Sequence, residues 1–225
     1  MSMRLALYFA PEVSDPLHAA ASRWLGRDAE TGATIPQAPV PGVDIAAITA
    51  EAANYGFHAT LKPPFRLSGS YAAARAAAAD LAGRTAPFAM PPLRVTDLRG
   101  FLALTESEPC PALQAFADNC VTALEPHRAA PTEAEIARRN PDRMTPRQRE
   151  HLAAWGYPYV FDEWFFHMTL SRKLDEVEKA RVLPAVQNAV GAAAAMPRVV
   201  RELCLFTQAA PGAPFLIAER LPLGG

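Results

Sequence analysis

The sequence predicts an α+β fold of two pseudo-symmetric lobes, each a mostly antiparallel sheet with helices on the outside, around a central cleft. Three observations carry this expectation. The pentapeptide pattern F-H-x-T-L occurs twice, as Phe57-His58-Ala59-Thr60-Leu61 and as Phe166-His167-Met168-Thr169-Leu170. Each copy alternates apolar with polar residues, which suits a strand with one face in a core and the other open. After each copy come a short connection, a helix and two strands, so the repeat extends over most of the chain. The last strand would be Phe101-Leu102-Ala103-Leu104 in one half and Phe215-Leu216-Ile217-Ala218 in the other.

In chain order, Arg4 to Ala10, closed by Pro11, reads as a first central strand. A helix follows from Ser14 or Asp15 to Leu25 and stops at Gly26. Residues 31–43, rich in Pro, Gly and Thr, form a surface loop. Asp44 caps a helix to about Ala53, and Asn54-Tyr55-Gly56 turns the chain into the first F-H-x-T-L strand. Lys62-Pro63-Pro64-Phe65-Arg66 leaves that strand as a stiff extended segment. An Ala-rich helix runs from about Ser70 to Ala82, ending at Gly83. Strands fit Leu93 to Leu98 and Arg99 to Thr105.

The spacing of Leu113, Phe116, Ala117, Cys120, Val121 and Leu124 predicts an amphipathic helix from Pro111 and makes Cys120 a core residue. Thr132-x-x-Glu135 and Thr145-x-x-Gln148 are capping boxes, so two short helices belong to a helical, arginine-rich insert at about 131–156. Asp175 caps a last helix that Pro184 should kink or break. Strands from about Val199 to Thr207 and Pro214 to Leu221 close the chain. Residues 1–225 are expected to make one two-lobed domain.

Bulk properties narrow the function. Lys and Arg number 22 against 23 Asp and Glu, a net charge of −1, so no global basic field draws in long nucleic acids. Cys110, Cys120 and Cys204 lack the number and spacing of a disulfide framework or zinc site. The apolar run Leu5 to Ala10 is too short for a secretory signal, and no stretch approaches a membrane span, so a cytoplasmic protein is expected. Phosphate-loop, dinucleotide-fingerprint, zincin and nucleophile-elbow patterns are missing, so neither a cofactor nor a metal is expected.

The His-Thr face of each pentapeptide carries the chemistry. Two such strands brought together would set two imidazoles and two hydroxyls around one small anion. Opening a cyclic phosphodiester needs a base for the attacking water and an acid for the departing oxygen, and histidine serves both near neutral pH. His58 and His167 fill these roles, and Thr60 and Thr169 can donate hydrogen bonds to the non-bridging oxygens. One H-x-T alone would more simply be a hydrogen-bonded histidine at a sheet edge. A full pentapeptide repeated around two of only five histidines points to a site.

His58-Ala59-Thr60-Leu61 and His167-Met168-Thr169-Leu170 resemble the paired H-x-(S/T)-hydrophobic motifs of the 2H phosphoesterase superfamily. That resemblance implies two pseudo-symmetric lobes and action on cyclic nucleotides, RNA ends or related phosphodiesters. The flanking Tyr55-Gly56-Phe57 and Lys62-Pro63-Pro64-Phe65, with Phe165 before the second motif, are similar to a bacterial branch associated with phosphonate degradation. This implies a small sugar cyclic phosphate as substrate, such as a phosphoribosyl 1,2-cyclic phosphate. An RNA-end 2′,3′-cyclic phosphodiesterase or 2′–5′ ligase is the alternative within enzymes, and a non-catalytic binder of phosphorylated ligands the alternative outside them. The expected partner is thus a small phosphorylated substrate, with nucleic acid entering only as a short RNA end and no membrane involved.

Further residues are candidates for substrate binding. Lys62, next to the first motif, is either a phosphate contact or a surface lysine. Tyr8 either stacks on a base or sugar or packs in the core. The insert carries Arg138, Arg139, Arg143, Arg147 and Arg149. It either folds over the cleft, with Arg138, Arg139 and Arg143 holding a second phosphate, or presents solvated helices to water. His18 and His151 read as surface residues.

Overall fold

Residues 3–225 are described by a computed structural model, and among them lie nine strands and seven α-helices. The first half holds β1 (Arg4–Phe9), α1 (Pro16–Leu25), α2 (Ile45–Tyr55), β2 (Ala59–Arg66), α3 (Tyr71–Gly83), β3 (Phe88–Met90) and β4 (Leu93–Leu98). The second holds β5 (Phe101–Glu106), α4 (Pro111–Leu124), α5 (Glu133–Ala137), α6 (Pro146–Trp155), β6 (Met168–Lys173), α7 (Glu176–Ala194), β7 (Arg198–Val200), β8 (Glu202–Gln208) and β9 (Leu216–Pro222). The start signals read from sequence act as expected. Asp15, Asp44, Ser70, Thr132, Thr145 and Asp175 each accept a backbone N–H at the head of their helix.

Strand order is β4-β5-β6-β2-β1-β8-β9, with β3 and β7 paired apart as a small antiparallel ribbon. The large sheet is nearly two sheets. The motif strands β2 and β6 meet through one residue pair, Ala59 with Met168, whereas β1 pairs along β2 and β8 over most of its length. This single bridge joins a β2-β1-β8-β9 lobe to a β6-β5-β4 lobe. Pseudo-symmetry then relates β1 to β5, β2 to β6, β3 to β7 and β4 to β8.

That correspondence corrects one expectation. The strand of Phe101 lies beside the second motif strand, but the strand ending the other half, β9, lies at the far edge. A short apolar run fits any half-buried strand, so its likeness to another carried no register information. The outer strands are also exchanged: β4, from the first half, completes the lobe of the second motif, and β8 completes the lobe of the first.

Alternation places the core. Leu5, Leu7 and Phe9 of β1 join Leu61, Phe65, Leu203 and Leu205 on one face. Helices α3 and α4 cover that face over β2, β8 and β9, while α1, α2 and α7 back β4 and β6. On the other face Ala6, Tyr8, Cys204, Phe206 and Phe215 form a second cluster facing the cleft. Each large side chain withdrawn from water contributes about 1.5–3 kcal/mol, so burial on both faces makes β1 the central strand of its lobe.

Two proline readings need revision. Pro63 and Pro64 lie inside β2 itself; neighbouring residues aim at opposite edges, so one proline is tolerated at the edge β6 leaves after Ala59 and the other at the irregular β1–β2 register between Lys62 and Phe65. Helix α7 runs unbroken through Pro184. Pro184 and Ala180 face solvent, so water can bond the freed carbonyl, while Val182, Val186, Val190 and Ala194 hold the buried stripe. The β4–β5 hairpin turns on Arg99 and Gly100, both with positive φ (54° and 103°), the two-residue turn whose twist matches its strands. Among the described residues no helix is long and apolar enough to cross a membrane.

Candidate active site

The two pentapeptides meet where the lobes join. An antiparallel register pairing Ala59 with Met168 sets Thr60 beside His167 and His58 beside Thr169. Phe57, Ala59, Leu61, Phe166, Met168 and Leu170 are buried, while His58, Thr60, His167 and Thr169 keep partial exposure on the cleft face. Beyond the bridge the strands diverge, and their facing carbonyls need other partners. Two tryptophans supply them: the Trp164 indole N–H donates to the Thr60 carbonyl and the Trp24 indole N–H to the Leu170 carbonyl, each at 2.8 Å.

Both histidines are held alike. His58 Nδ1 lies 2.8 Å from the Gly56 carbonyl and His167 Nδ1 lies 3.2 Å from the Phe165 carbonyl. A carbonyl only accepts, so each Nδ1 carries the proton and each Nε2 is the working nitrogen. Thr60 Oγ1 sits 3.3 Å from His58 Nε2 and can donate to it. The Gly56 carbonyl is aimed by a backbone at φ +79°, where a Cβ would come within 2.5 Å of that of Ala29, so glycine is required there.

The rings are packed by aromatics. Tyr8 stacks on His58 at 3.8 Å between centroids, with Phe206 and Tyr55 at 6.0 and 6.1 Å. Phe165 stacks on His167 at 4.7 Å, with the edge of Phe101 at 6.1 Å. This burial pushes the His58 pKa down to about 4, against the opposing pull of the Gly56 carbonyl, and the nearby His167 lowers it further. His167 is also lowered by burial, with the Phe165 carbonyl opposing. Both imidazoles are therefore neutral near pH 7 in the free protein, ready to accept a proton at Nε2.

The other predicted residues fare unequally. Tyr8 is buried against His58, so it orients the imidazole and does not lie open to a base or sugar. Lys62 is 2 % exposed, and its ammonium donates to the Val121 carbonyl at 2.9 Å and to Glu125 at 3.0 Å. It is neither a surface lysine nor free for phosphate, because the local bulges in the β1–β2 register turn it opposite Leu7. Arg138 and Arg139 line a cavity of about 460 Å³ beneath the insert, whereas Arg143 lies away from it in a single 3-10 turn. His151, read as a surface residue, is buried and bonded to Asp162 at 2.8 Å.

The insert is pinned in place. Arg66 of β2 grips Glu135 of α5, and Arg147 and His151 of α6 hold Asp162. The cavity under it also exposes Arg4, Tyr55 and Trp155, residues that sequence reasoning passed over. Alternation along β1 carried the signal for Arg4, since Arg4, Ala6 and Tyr8 must share a face. Among the described residues no group of three His, Cys, Asp or Glu side chains is placed to hold a metal ion.

Comparison with known proteins adds the following. A family described as "Protein of unknown function (DUF1045)" matches residues 60–216. Two proteins called ribose 1,5-bisphosphate phosphokinase PhnN are similar to the chain. The one from Janthinobacterium sp. (strain Marseille) is 36% identical over 99% of this chain and 51% of its own length. The one from Laribacter hongkongensis (strain HLHK9) is 34% identical over 96% of this chain and 51% of its own length. The chain thus spans about half the length of these curated relatives. Among solved structures, E. coli LigT complexed with NADP+ aligns with a TM-score of 0.46 at 16% identity, covering 100% of this chain and 99% of that one.

Proposed function

The chain belongs to the DUF1045 family of proteins of unknown function, and we propose that it is a phosphoesterase of the 2H type that opens a small cyclic phosphodiester by histidine acid–base chemistry. The carrying observation is the pair of Nδ1-anchored imidazoles on adjoining strands, each beside a threonine of the other motif. His58, the more deeply lowered, is the base: its Nε2 takes a proton from water as the water oxygen bonds to phosphorus. His167 is the acid. A bound phosphate anion raises its pKa, and its protonated Nε2 delivers a proton to the ester oxygen as the P–O bond breaks. Thr60 and Thr169 donate to the non-bridging oxygens as charge builds on them.

For the substrate, the relatives' name supplies a chemical neighbour. The kinases act on ribose 1,5-bisphosphate, and this chain, similar to about half of each, contains no G-x-x-x-x-G-K phosphate loop. We read it as the part that makes the kinase's substrate during phosphonate degradation. Water added across the P–O2 bond of 5-phosphoribosyl 1,2-cyclic phosphate yields ribose 1,5-bisphosphate, whereas cleavage at P–O1 yields the 2,5-isomer. The expected leaving oxygen is therefore O2.

The test is turnover of that compound followed by ³¹P NMR. Ribose 1,5-bisphosphate should accumulate, and activity should survive exhaustive EDTA treatment. His58→Ala and His167→Ala should each lower kcat by roughly 10²–10⁴-fold with the fold intact by circular dichroism. The double variant should be little worse, because the pair acts as a unit. Phosphate binding without turnover of any cyclic diester would make the protein a binder and overturn the proposal.

A further inference from the structure

The cavity of about 460 Å³ beneath the insert is not used by the two-histidine chemistry. Its walls carry Arg4, Lys62, Arg66, Arg128, Arg138 and Arg139 against the carboxylates of Glu51 and Glu135. Neighbouring carboxylates neutralise only part of this charge. Glu135 is held by Arg66, and Glu125, just outside, takes both Lys62 and Arg128. Arg4, Arg138 and Arg139 form no ion pair among the described residues.

Two of these three are built as an anion grip. Arg4 donates Nε to Gln208 at 2.8 Å and lies 5.3 Å over the Phe215 ring, and its two terminal nitrogens bond no partner among the described residues. Arg139 lies 4.8 Å over the Tyr157 ring, and its guanidinium makes no hydrogen bond among the described residues. Stacking on an aromatic face fixes the plane of a guanidinium while leaving its fork available, and that fork matches phosphate geometry. The two come from different walls, one from the cleft face of β1 and one from the turn just after α5 in the insert.

The cavity adjoins the histidines. Arg4 shares a face of β1 with Tyr8, whose ring stacks on His58, and Tyr55 both lines the cavity and lies 6.1 Å from the His58 ring. Both guanidiniums also reach the Tyr8 phenol electrostatically, opposing the burial that raises its pKa.

We propose that this cavity is a second phosphate subsite, in which Arg4 and Arg139 grip the terminal phosphate of a sugar whose cyclic phosphate lies between His58 and His167. The inference rests on the phosphoesterase reading for the position of the cyclic end, but the subsite itself is independent of turnover. It makes the enzyme a reader of two phosphates held apart by one pentose, and it assigns Arg143, which lies outside the cavity, no part in binding.

The experiment has a kinetic arm and a binding arm. Arg4→Gln and Arg139→Gln should each raise KM for 5-phosphoribosyl 1,2-cyclic phosphate roughly 10–100-fold, the loss of a charge-assisted contact. The same variants should change kcat/KM for ribose 1,2-cyclic phosphate less than about threefold, and Arg143→Gln should leave both substrates unchanged. Arg4→Lys should recover part of the loss, which separates a missing charge from a disturbed β1. In the binding arm, ribose 5-phosphate should bind by calorimetry to the wild type and to the His58→Ala/His167→Ala variant, and fail with Arg4→Gln/Arg139→Gln.

Arginine-dependent binding without turnover of any cyclic diester would keep the subsite and discard the phosphoesterase reading. Turnover with equal losses on both sugars, or ribose 5-phosphate binding that survives loss of both arginines, would overturn the subsite alone. Losses that grow with oligonucleotide length and ease at high salt would also overturn it, in favour of a track for an RNA strand.

Discussion

His58 and His167 share a hydrogen-bonding pattern but differ in depth, and the difference has a direction that can be measured. Burial favours the neutral ring in both, more strongly in His58, whose pKa falls from 6.5 to about 4. The proposed mechanism needs His58 neutral and His167 protonated in the free protein, so kcat/KM should trace a bell on the acid side of neutrality. Its acid limb should lie near 4 and its alkaline limb below 6.5, both belonging to the coupled pair. The alkaline limb of kcat should sit higher, because the bound phosphate favours imidazolium. An alkaline limb of kcat/KM well above 7 would remove His167 from the acid role.

The same shifts act on stability. Unfolded histidine takes up protons before the folded ring does, so the stabilisation is complete above about pH 6.5 and lost as pH falls toward 4. For His58 it amounts to about 3 kcal/mol. Denaturant unfolding at pH 7 and pH 4.5 should show a clearly smaller loss for His58→Ala than for the wild type.

At the scale of elements, the open seam between β2 and β6 is what the tryptophans close. Trp164→Phe keeps most of the packing but leaves the Thr60 carbonyl without its donor, at a stability cost of about 1–3 kcal/mol. Since Thr60 sits beside His167, kcat should fall several-fold while KM stays within about twofold. A wild-type kcat in a destabilised Trp164→Phe would reduce the indole to a fastener with no bearing on the chemistry.

Elements were also where the sequence was most and least legible. Period-two alternation put His58, Thr60, His167 and Thr169 on one face, and each cap residue named from its side chain does cap a helix. Lys62 was misplaced because a bulge shifts a strand's facing by one residue and leaves no mark in the sequence. The pairing of Phe101 with Phe215 failed because strand neighbours are set by long-range packing. Arg4 was legible from alternation alone, but its worth as a ligand depends on the insert that closes over it.

At the scale of the molecule, exchange of β4 and β8 means that neither sequence half contains a whole lobe. The chain cut in the Arg99-Gly100 turn should give fragments that melt without cooperativity when separate and regain a sharp transition and turnover when mixed. A cooperative transition in either fragment alone would show that the lobes are more self-sufficient than their strand order implies.

Translation adds an order in time to this exchange. The strands of the β6-β5-β4 lobe have all been made once Lys173 is added, so the lobe bearing His167 can pair its strands before β8 exists. The antiparallel pair of β1 and β2, with His58 just ahead of β2, must wait for Glu202–Gln208 to arrive at the open edge of β1. Through that interval one edge of β1 stands open as an apolar template, the kind of edge that recruits other nascent chains. The first-made of the two proposed catalytic histidines is thus the last to be sheltered, and the newborn chain depends most on chaperones until Glu202–Gln208 has emerged.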